Sequence, residues 1–159
     1  MWIEPNPTDT EPEPVSGESR PTGHRGSVVD LDRAEAMRLL AQAACGRVVF
    51  TRDALPAIRP VRHIVRDDRI IVLVRLISRT TDVVCARDRV VVAYEADDLD
   101  PHGRSGWAVV VTGPAHPITD PDLIARYEPM LRSGLDRAGD VVVAIEPTIV
   151  SGIALRGGY

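Results

Sequence analysis

Apolar residues near the start of the ordered sequence recur at the spacing of a helix. Asp32 followed by Glu35 resembles a capping box, and Gly46 stands where a glycine often ends a helix. We therefore predict a helix from about Leu31 to Cys45. Its apolar face is formed by Met37, Leu39, Leu40 and Ala43.

After this helix the apolar residues are dense and mostly β-branched, which predicts strands. A hairpin is expected around Arg52–Pro56, and a second turn at Asp67–Asp68. Two further helices are predicted, a short one at Ser78–Ala86 and a longer one at Asp120–Leu135. The strand segments are 46–51, 57–66, 69–75, 90–96 and 106–118, with 140–145 and 149–155 as two strands or one bent strand.

Both alternating faces are apolar in two of these segments, Val90–Ala93 and Trp107–Val111. Such strands need cover on both sides. The lining of a small barrel accounts for one side, and two helices of moderate length do not cover the other. We therefore predict a mainly β fold with flanking helices, a six-stranded antiparallel split β-barrel, that forms a homodimer.

The first 27 residues differ in composition from the rest of the chain. Five prolines and five acidic residues leave almost nothing apolar beyond Trp2 and Ile3. Such a segment buries too little surface to offset its chain entropy. We expect residues 1–27 to be a disordered acidic tail and residues 28–159 to form one domain.

Composition excludes several functional classes. All 19 basic residues are arginine, so no lysine is present to form a Schiff base. A net charge of −4 argues against nucleic acid as a partner, and no apolar run is long enough to cross a membrane. Without a signal peptide the chain is expected to be cytoplasmic. Cys45 and Cys85 are then expected to be reduced and buried as small hydrophobic residues, with a disulfide or redox pair as the less favoured alternative.

No metal or hydrolase motif is complete. Asp98–Gly103 resembles the start of a calcium loop, but Val109 occupies the position that requires glutamate. The sequence contains no zinc-type spacing, nucleophile elbow or P-loop. We therefore assign no metal site and no catalytic residue.

The segment Ala57–Val65 carries polar residues on both faces. Arg59 and His63 share one face and stand roughly 13 Å apart at the rise of a strand. They either contact opposite ends of an elongated ligand or form structural salt bridges at a dimer edge.

A second polar element, Ser78-Arg79-Thr80-Thr81, lies where a strand is expected to meet a helix. Its hydroxyls, guanidinium and free backbone N–H groups suit a phosphate. Serine and threonine also serve as ordinary helix caps, so both interpretations stay open.

The order of these elements resembles the pyridoxamine 5'-phosphate oxidase-like, FMN-binding split-barrel proteins, particularly their actinobacterial and nitroimidazole-resistance-like branch. The resemblance covers about 31–155. It rests on the order of an initial helix and five motifs: Gly46–Phe50, Arg59-Pro60-Val61, Ser78-Arg79, Val90–Glu95 and Gly106–Gly113.

The resemblance implies a dimer that binds a flavin or deazaflavin across the subunit boundary. Ser78 and Arg79 match the family's phosphate element, in which Thr80 replaces the usual lysine. Arg59, Pro60 and Val61 match a strand beside the isoalloxazine and phosphate, and His63 is the nearby proton donor. Backbone contacts are implied at Leu73 and Val74, and partner-subunit contacts at Trp107 and Ala108.

These expectations describe an oxidoreductase that uses FMN, or alternatively the deazaflavin F420, on an unidentified small molecule. A non-catalytic protein that binds or senses a flavin, a deazaflavin or haem is the alternative. A cofactor-free structural dimer is a third possibility.

Overall fold

Eight strands and two helices make up the part of the chain described by the computed structural model, residues 26–76 and 90–157. The helices are α1 (Arg33–Gln42) and α2 (Pro121–Leu131). The strands are β1 (Ser27–Asp30), β2 (Cys45–Arg52), β3 (Leu55–Arg66), β4 (Arg69–Val74), β5 (Val90–Leu99), β6 (Gly106–Pro117), β7 (Val141–Ile145) and β8 (Ile149–Arg156).

The strands pair in the order β1-β8-β6-β5-β2-β3-β4-β7, and β6 also pairs with β7. This last pairing closes β2–β7 into a six-stranded antiparallel barrel, which confirms the predicted fold class. β6 pairs with β8 over residues 106–112 and with β7 over 115–117. Gly113 lies between these stretches, where a Cβ atom would be 1.8 Å from the Glu146 carbonyl oxygen. A glycine is therefore required where the barrel closes.

Both predicted turns are present as two-residue hairpin loops. Asp53 and Ala54 have φ values of 51° and 61°, and Asp67 and Asp68 have 50° and 57°. Two successive positive φ values are typical of the turns that match the twist of paired strands. The first turn is shorter than predicted because β2 and β3 extend into it.

The predicted start of α1 is confirmed, but its predicted end is wrong. Asp32 Oδ1 accepts a hydrogen bond of 2.8 Å from the Glu35 amide. The helix ends at Gln42, and Gly46 lies inside β2, where a Cβ atom would be 2.6 Å from the Tyr94 hydroxyl. Gly46 thus allows the Tyr94 side chain to approach the backbone of β2 closely. Cys45 begins β2 and is exposed, so its prediction as a buried helical residue is also wrong.

The elements in the second half of the chain follow the predicted order, but several of them end at other residues than predicted. The helix expected from Asp120 to Leu135 begins at Pro121, with Asp120 as its cap, and stops at Leu131. β5 continues to Leu99, three residues beyond the predicted end. The expected helix Ser78–Ala86, with Cys85, and residues 1–25 of the expected tail lie outside the described residues.

Two apolar clusters hold the barrel together. The larger one fills the barrel and reaches α1 through Ala36, Met37 and Leu40. The smaller one joins Tyr127 and Leu131 of α2 to the outer surface of β4 and β7. Neither helix in the described ranges is long and apolar enough to span a membrane.

Candidate functional site

An arginine-rich cavity of about 140 Å³ lies beside β3 and the end of β4. β2 ends with Arg52, Arg75 follows β4 directly, and Asp140 directly precedes β7. Antiparallel pairing brings these positions together, since Val74 pairs with Val141. The cavity is lined by Phe50, Arg52, Ala57, Ile58, Arg59, Pro60, Arg75, Arg137 and Asp140.

Arg59 and Asp140 form a buried, two-point ion pair in this cavity. Arg59 Nη1 donates to Asp140 Oδ1 at 2.7 Å and Nη2 to Oδ2 at 2.5 Å, and Nη2 also donates to the Leu135 carbonyl at 3.1 Å. The two side chains are 10% and 3% exposed. Burial raises the pKa of Asp140, but hydrogen bonds from Arg59 and from the Arg137 amide outweigh it and hold that pKa below its usual value. Asp140 is therefore ionised.

Among the described residues, the other three arginines of the cavity have no such partner. Within residues 26–76 and 90–157, no carboxylate forms an ion pair with Arg52, Arg75 or Arg137. Arg52 lies over the ring of Phe50, 5.4 Å from its centre, and donates to the Arg75 carbonyl at 3.4 Å. Guanidinium groups gathered without counter-charges suit a phosphate or carboxylate ligand.

An apolar cavity of about 170 Å³ adjoins the first one, and Arg75 lines both. Gly139, with φ of +83°, lies at this boundary, where a Cβ atom would be 2.6 Å from Arg75 Nη1. The glycine therefore leaves room for the guanidinium. The remaining lining is Leu76, Val90, Ala115, Pro117, Val141 and Val143.

His63 is buried inside the barrel and does not line either of these cavities. Its Nε2 atom is 2.7 Å from the Leu40 carbonyl oxygen, which only accepts, so Nε2 carries the proton. Nδ1 accepts from the Tyr94 hydroxyl at 2.7 Å. Burial lowers the pKa of His63 despite the bond to Leu40, and burial raises the pKa of Tyr94, so both side chains are uncharged. Both ring nitrogens are thus engaged within the protein.

The residues expected to bind a cofactor fall in several environments. Arg59 and Pro60 line the arginine-rich cavity, whereas Val61 and Val74 lie in the barrel core. Leu73 packs in the α2 cluster, and Trp107 lines a third cavity of about 320 Å³ beside Cys45, Asp97 and Asp98. Ala108, the next residue of β6, is half-buried. Ser78, Arg79 and Thr80 lie outside the described residues.

Sequence reasoning missed Arg52, Arg75, Arg137 and Asp140. Three of them flank the ends of strands, at β2, β4 and β7. Charged residues at strand ends are common, so position alone is a weak signal. Only the pairing of β4 with β7 shows that Arg75 and Asp140 meet.

The outer surface of β2, β3, β5, β6 and β8 carries an apolar row, interrupted by Thr112, that no helix covers among the described elements. Successive members pair across neighbouring strands: Ile58 with Val49, Val49 with Ala93, Ala93 with Thr112, and Thr112 with Ile149. Ile58 and Ile149 are 67% and 63% exposed, and Val91 nearby is 66% exposed. The arginine-rich cavity reaches this surface, because Ile58 and Pro60 line it.

Known proteins resemble this chain over most of its length. Over an alignment of 144 residues, the chain is 55% identical to the uncharacterised protein Rv0080 of Mycobacterium tuberculosis, with 89% of this chain and 94% of that protein covered.

Two solved structures share the fold. A candidate pyridoxamine 5'-phosphate oxidase of Corynebacterium glutamicum has a TM-score of 0.64 at 26% identity, with 80% of this chain and 98% of that one covered. The FAD binding protein of Mycobacterium smegmatis has a TM-score of 0.57 at 27% identity, with coverage of 82% and 100%.

The family model described as pyridoxamine 5'-phosphate oxidase matches residues 32–154, from the cap of α1 to β8. This stretch includes all six strands of the barrel and both cavities that meet at Arg75. The chain therefore belongs to the pyridoxamine 5'-phosphate oxidase family.

Proposed function

We propose that this chain binds a flavin-type nucleotide, with FMN as the first candidate, and acts as an oxidoreductase on a small organic molecule. The observation that carries the proposal is the cavity in which Arg52, Arg75 and Arg137 lack carboxylate partners among the described residues. Family membership and the FAD binding relative from Mycobacterium smegmatis support it. Arginine-rich pockets at strand ends suit phosphate esters, which flavin nucleotides carry.

The protein residues would hold the nucleotide by complementary chemistry. Arg52, Arg75 and Arg137 would bind its phosphate, and Ile58 and Pro60 would offer apolar contact beside that anchor. A bound flavin supplies hydride or electron transfer. The chain contributes orientation, charge neutralisation and exclusion of water from the flavin ring.

A second copy of the chain would complete the site. The apolar row around Ile58 and Ile149 lies beside the arginine-rich cavity and has no covering helix among the described elements. Exposed apolar patches of this kind mark interfaces. In the proposed homodimer Trp107 and Ala108 would approach the flavin from the partner subunit.

The alternative is a binding or sensing protein that holds the cofactor without catalysing a reaction. One observation favours it: the titratable groups nearest the cavity are occupied. Asp140 is ion-paired with Arg59, and both ring nitrogens of His63 are hydrogen-bonded in the core. In the described residues the cavity thus offers no free proton donor or acceptor of the usual catalytic types.

The test begins with the visible spectrum of the full chain purified without added ligand, followed by titration with FMN, FAD and F420. We expect binding of at least one of them. Arg75→Gln combined with Arg137→Gln should weaken it by about tenfold or more, since hydrogen bonds from charged groups are lost. Arg126→Gln on exposed α2 is the control, because Arg126 lies outside the cavity. Absence of flavin and deazaflavin binding, or an unchanged double variant, would contradict the proposal.

The same preparations separate the two functions and test the assembly. Anaerobic reduction of the bound flavin by a nicotinamide cofactor or another donor supports an oxidoreductase, whereas a flavin that no donor reduces supports a sensor. Sedimentation should show a dimer that Ile58→Asp dissociates, because a charge enters the apolar row. A wild-type monomer would contradict the proposed shared site.

A further inference from the structure

Arg59 is the arginine of β3 that the family resemblance places beside the flavin, yet three of its five N–H groups already donate within the protein. Both Nη atoms donate to the two oxygens of Asp140, and Nη2 also donates to the Leu135 carbonyl. A planar guanidinium recognises a phosphate by the same two-point contact that it makes here with a carboxylate. Asp140 thus occupies the position that a ligand anion would need at Arg59.

Displacing Asp140 from Arg59 is strongly unfavourable. The Asp140 side chain is 3% exposed, so separation would leave an ionised carboxylate buried without its cationic partner. Within the described residues it would keep only hydrogen bonds from backbone amides, from Arg137 at 2.8 Å and from Arg75, which carry no full positive charge. Arg59, itself 10% exposed, would also lose most of its contacts.

The segment that carries Asp140 is held by hydrogen bonds of its own. The Asp140 amide donates to the Arg137 carbonyl at 3.1 Å, and the Ser133 amide donates to Asp136 Oδ2 at 2.9 Å. These bonds join successive parts of the connection between α2 and β7. The carboxylate therefore stays at Arg59 instead of turning out to solvent.

We infer that Asp140 is a specificity-determining residue that withdraws Arg59 from the ligand. An anionic ligand is then recognised by Arg52, Arg75 and Arg137 alone, and it binds close to a fixed negative charge. This inference rests on the proposed function, since it concerns the same anion site. It assigns Arg59 a positioning role, and it predicts that the site binds phosphate groups less tightly than four arginines would.

Inorganic pyrophosphate is the probe, measured by isothermal titration calorimetry on the full chain. Asp140→Asn removes the competing charge and leaves a side chain of the same shape, so pyrophosphate should bind about tenfold tighter than to wild type. Arg59→Gln combined with Asp140→Asn removes both members of the pair. Because Arg59 is not used in the wild type, this double variant should keep the wild-type affinity within about twofold. Asp122→Asn, on the exposed side of α2 and outside the cavity, is the control and should bind like the wild type.

Equal or weaker binding by Asp140→Asn would overturn the inference, and so would a tenfold loss in the double variant. If Asp140→Asn does not fold, the double variant still decides, because replacing a buried ion pair by neutral side chains of similar size is often tolerated. If the wild type binds a flavin but Asp140→Asn does not bind pyrophosphate more tightly, the inferred role of Asp140 is rejected and the proposed function stands. Failure of every variant to bind pyrophosphate and flavins would reject both proposals.

Discussion

β3 directs two polar side chains into the barrel four residues apart, and they end in opposite environments. Arg59 meets a charged partner, Asp140, in a cavity lined by further arginines. His63 meets a neutral partner, Tyr94, in the closed core. The alternation along β3 gives both residues the same face, and the neighbouring segments decide what each one does. An inward polar residue marks a binding site only where other unsatisfied groups converge on it.

The two pairs also differ in the charge of their side chains. Arg59 and Asp140 are both ionised, so each needs the other to offset the loss of hydration. His63 and Tyr94 are uncharged, and each hydrogen bond between neutral groups contributes less. Damage to the charged pair should therefore cost more stability than damage to the neutral pair.

Asp140→Ala should show the largest effect. It leaves Arg59 as a buried charge without its carboxylate, and breaking such a pair costs about 3–5 kcal/mol of unfolding free energy. Urea denaturation of the variant and the wild type measures the difference.

The matched control replaces both charges, as Arg59→Met with Asp140→Leu, and should recover most of the lost stability. A cost below about 1 kcal/mol for Asp140→Ala would show that Arg59 is hydrated in solution.

Tyr94→Phe should have an intermediate effect on the neutral pair. It removes the donor to His63 Nδ1 and leaves that atom unsatisfied in the core, which costs about 1–3 kcal/mol. Tyr127→Phe is the control, because no described residue is hydrogen-bonded to the Tyr127 hydroxyl, and it should change stability by about 0.5 kcal/mol or less. If both variants lose the same amount in urea denaturation, the hydrogen bond to His63 contributes little.

Local patterns were sufficient to predict the barrel. The β-branched runs, the turn at Asp67–Asp68 and the caps at Asp32 and Asp120 all depend on residues close in sequence. Gly46 shows the limit of this reasoning. Its position after an apolar helix fits a helical end, but the glycine is needed for the approach of Tyr94, which lies 48 residues away in sequence.

The candidate site depends on contacts of the same long range. The sequence singles out Arg59 because it shares a strand face with His63 in a segment with polar residues on both faces, whereas its partner Asp140 lies in a connection with no motif. Arg75 and Asp140 meet only through the register of β4 and β7. Arg52 reaches them from β2 through its contact with the Arg75 carbonyl. No local spacing encodes such a meeting of three strand ends.

The smallest expected effect is on the pH dependence of the unfolding free energy, in which His63 and Asp140 act in different pH ranges. Burial holds the pKa of His63 below its usual value, so the unfolded chain binds the proton more readily than the folded one. Stability should therefore fall as the pH drops below about 6.5, the ordinary histidine pKa, by at most about 1.4 kcal/mol one pH unit lower. The lowered pKa of Asp140 acts in the same direction only near and below about pH 4.

Unfolding free energies between pH 5 and 7.5 for the wild type and His63→Gln isolate this contribution. Glu95, whose pKa is raised chiefly by burial, acts in the opposite direction but equally in both proteins. The difference between their pH profiles therefore belongs to His63, and it should shrink to a constant above about pH 7. Parallel profiles for the wild type and His63→Gln would mean that the barrel accommodates a charged His63. Arg59 and His63 would then differ in their position along β3 and not in their charge.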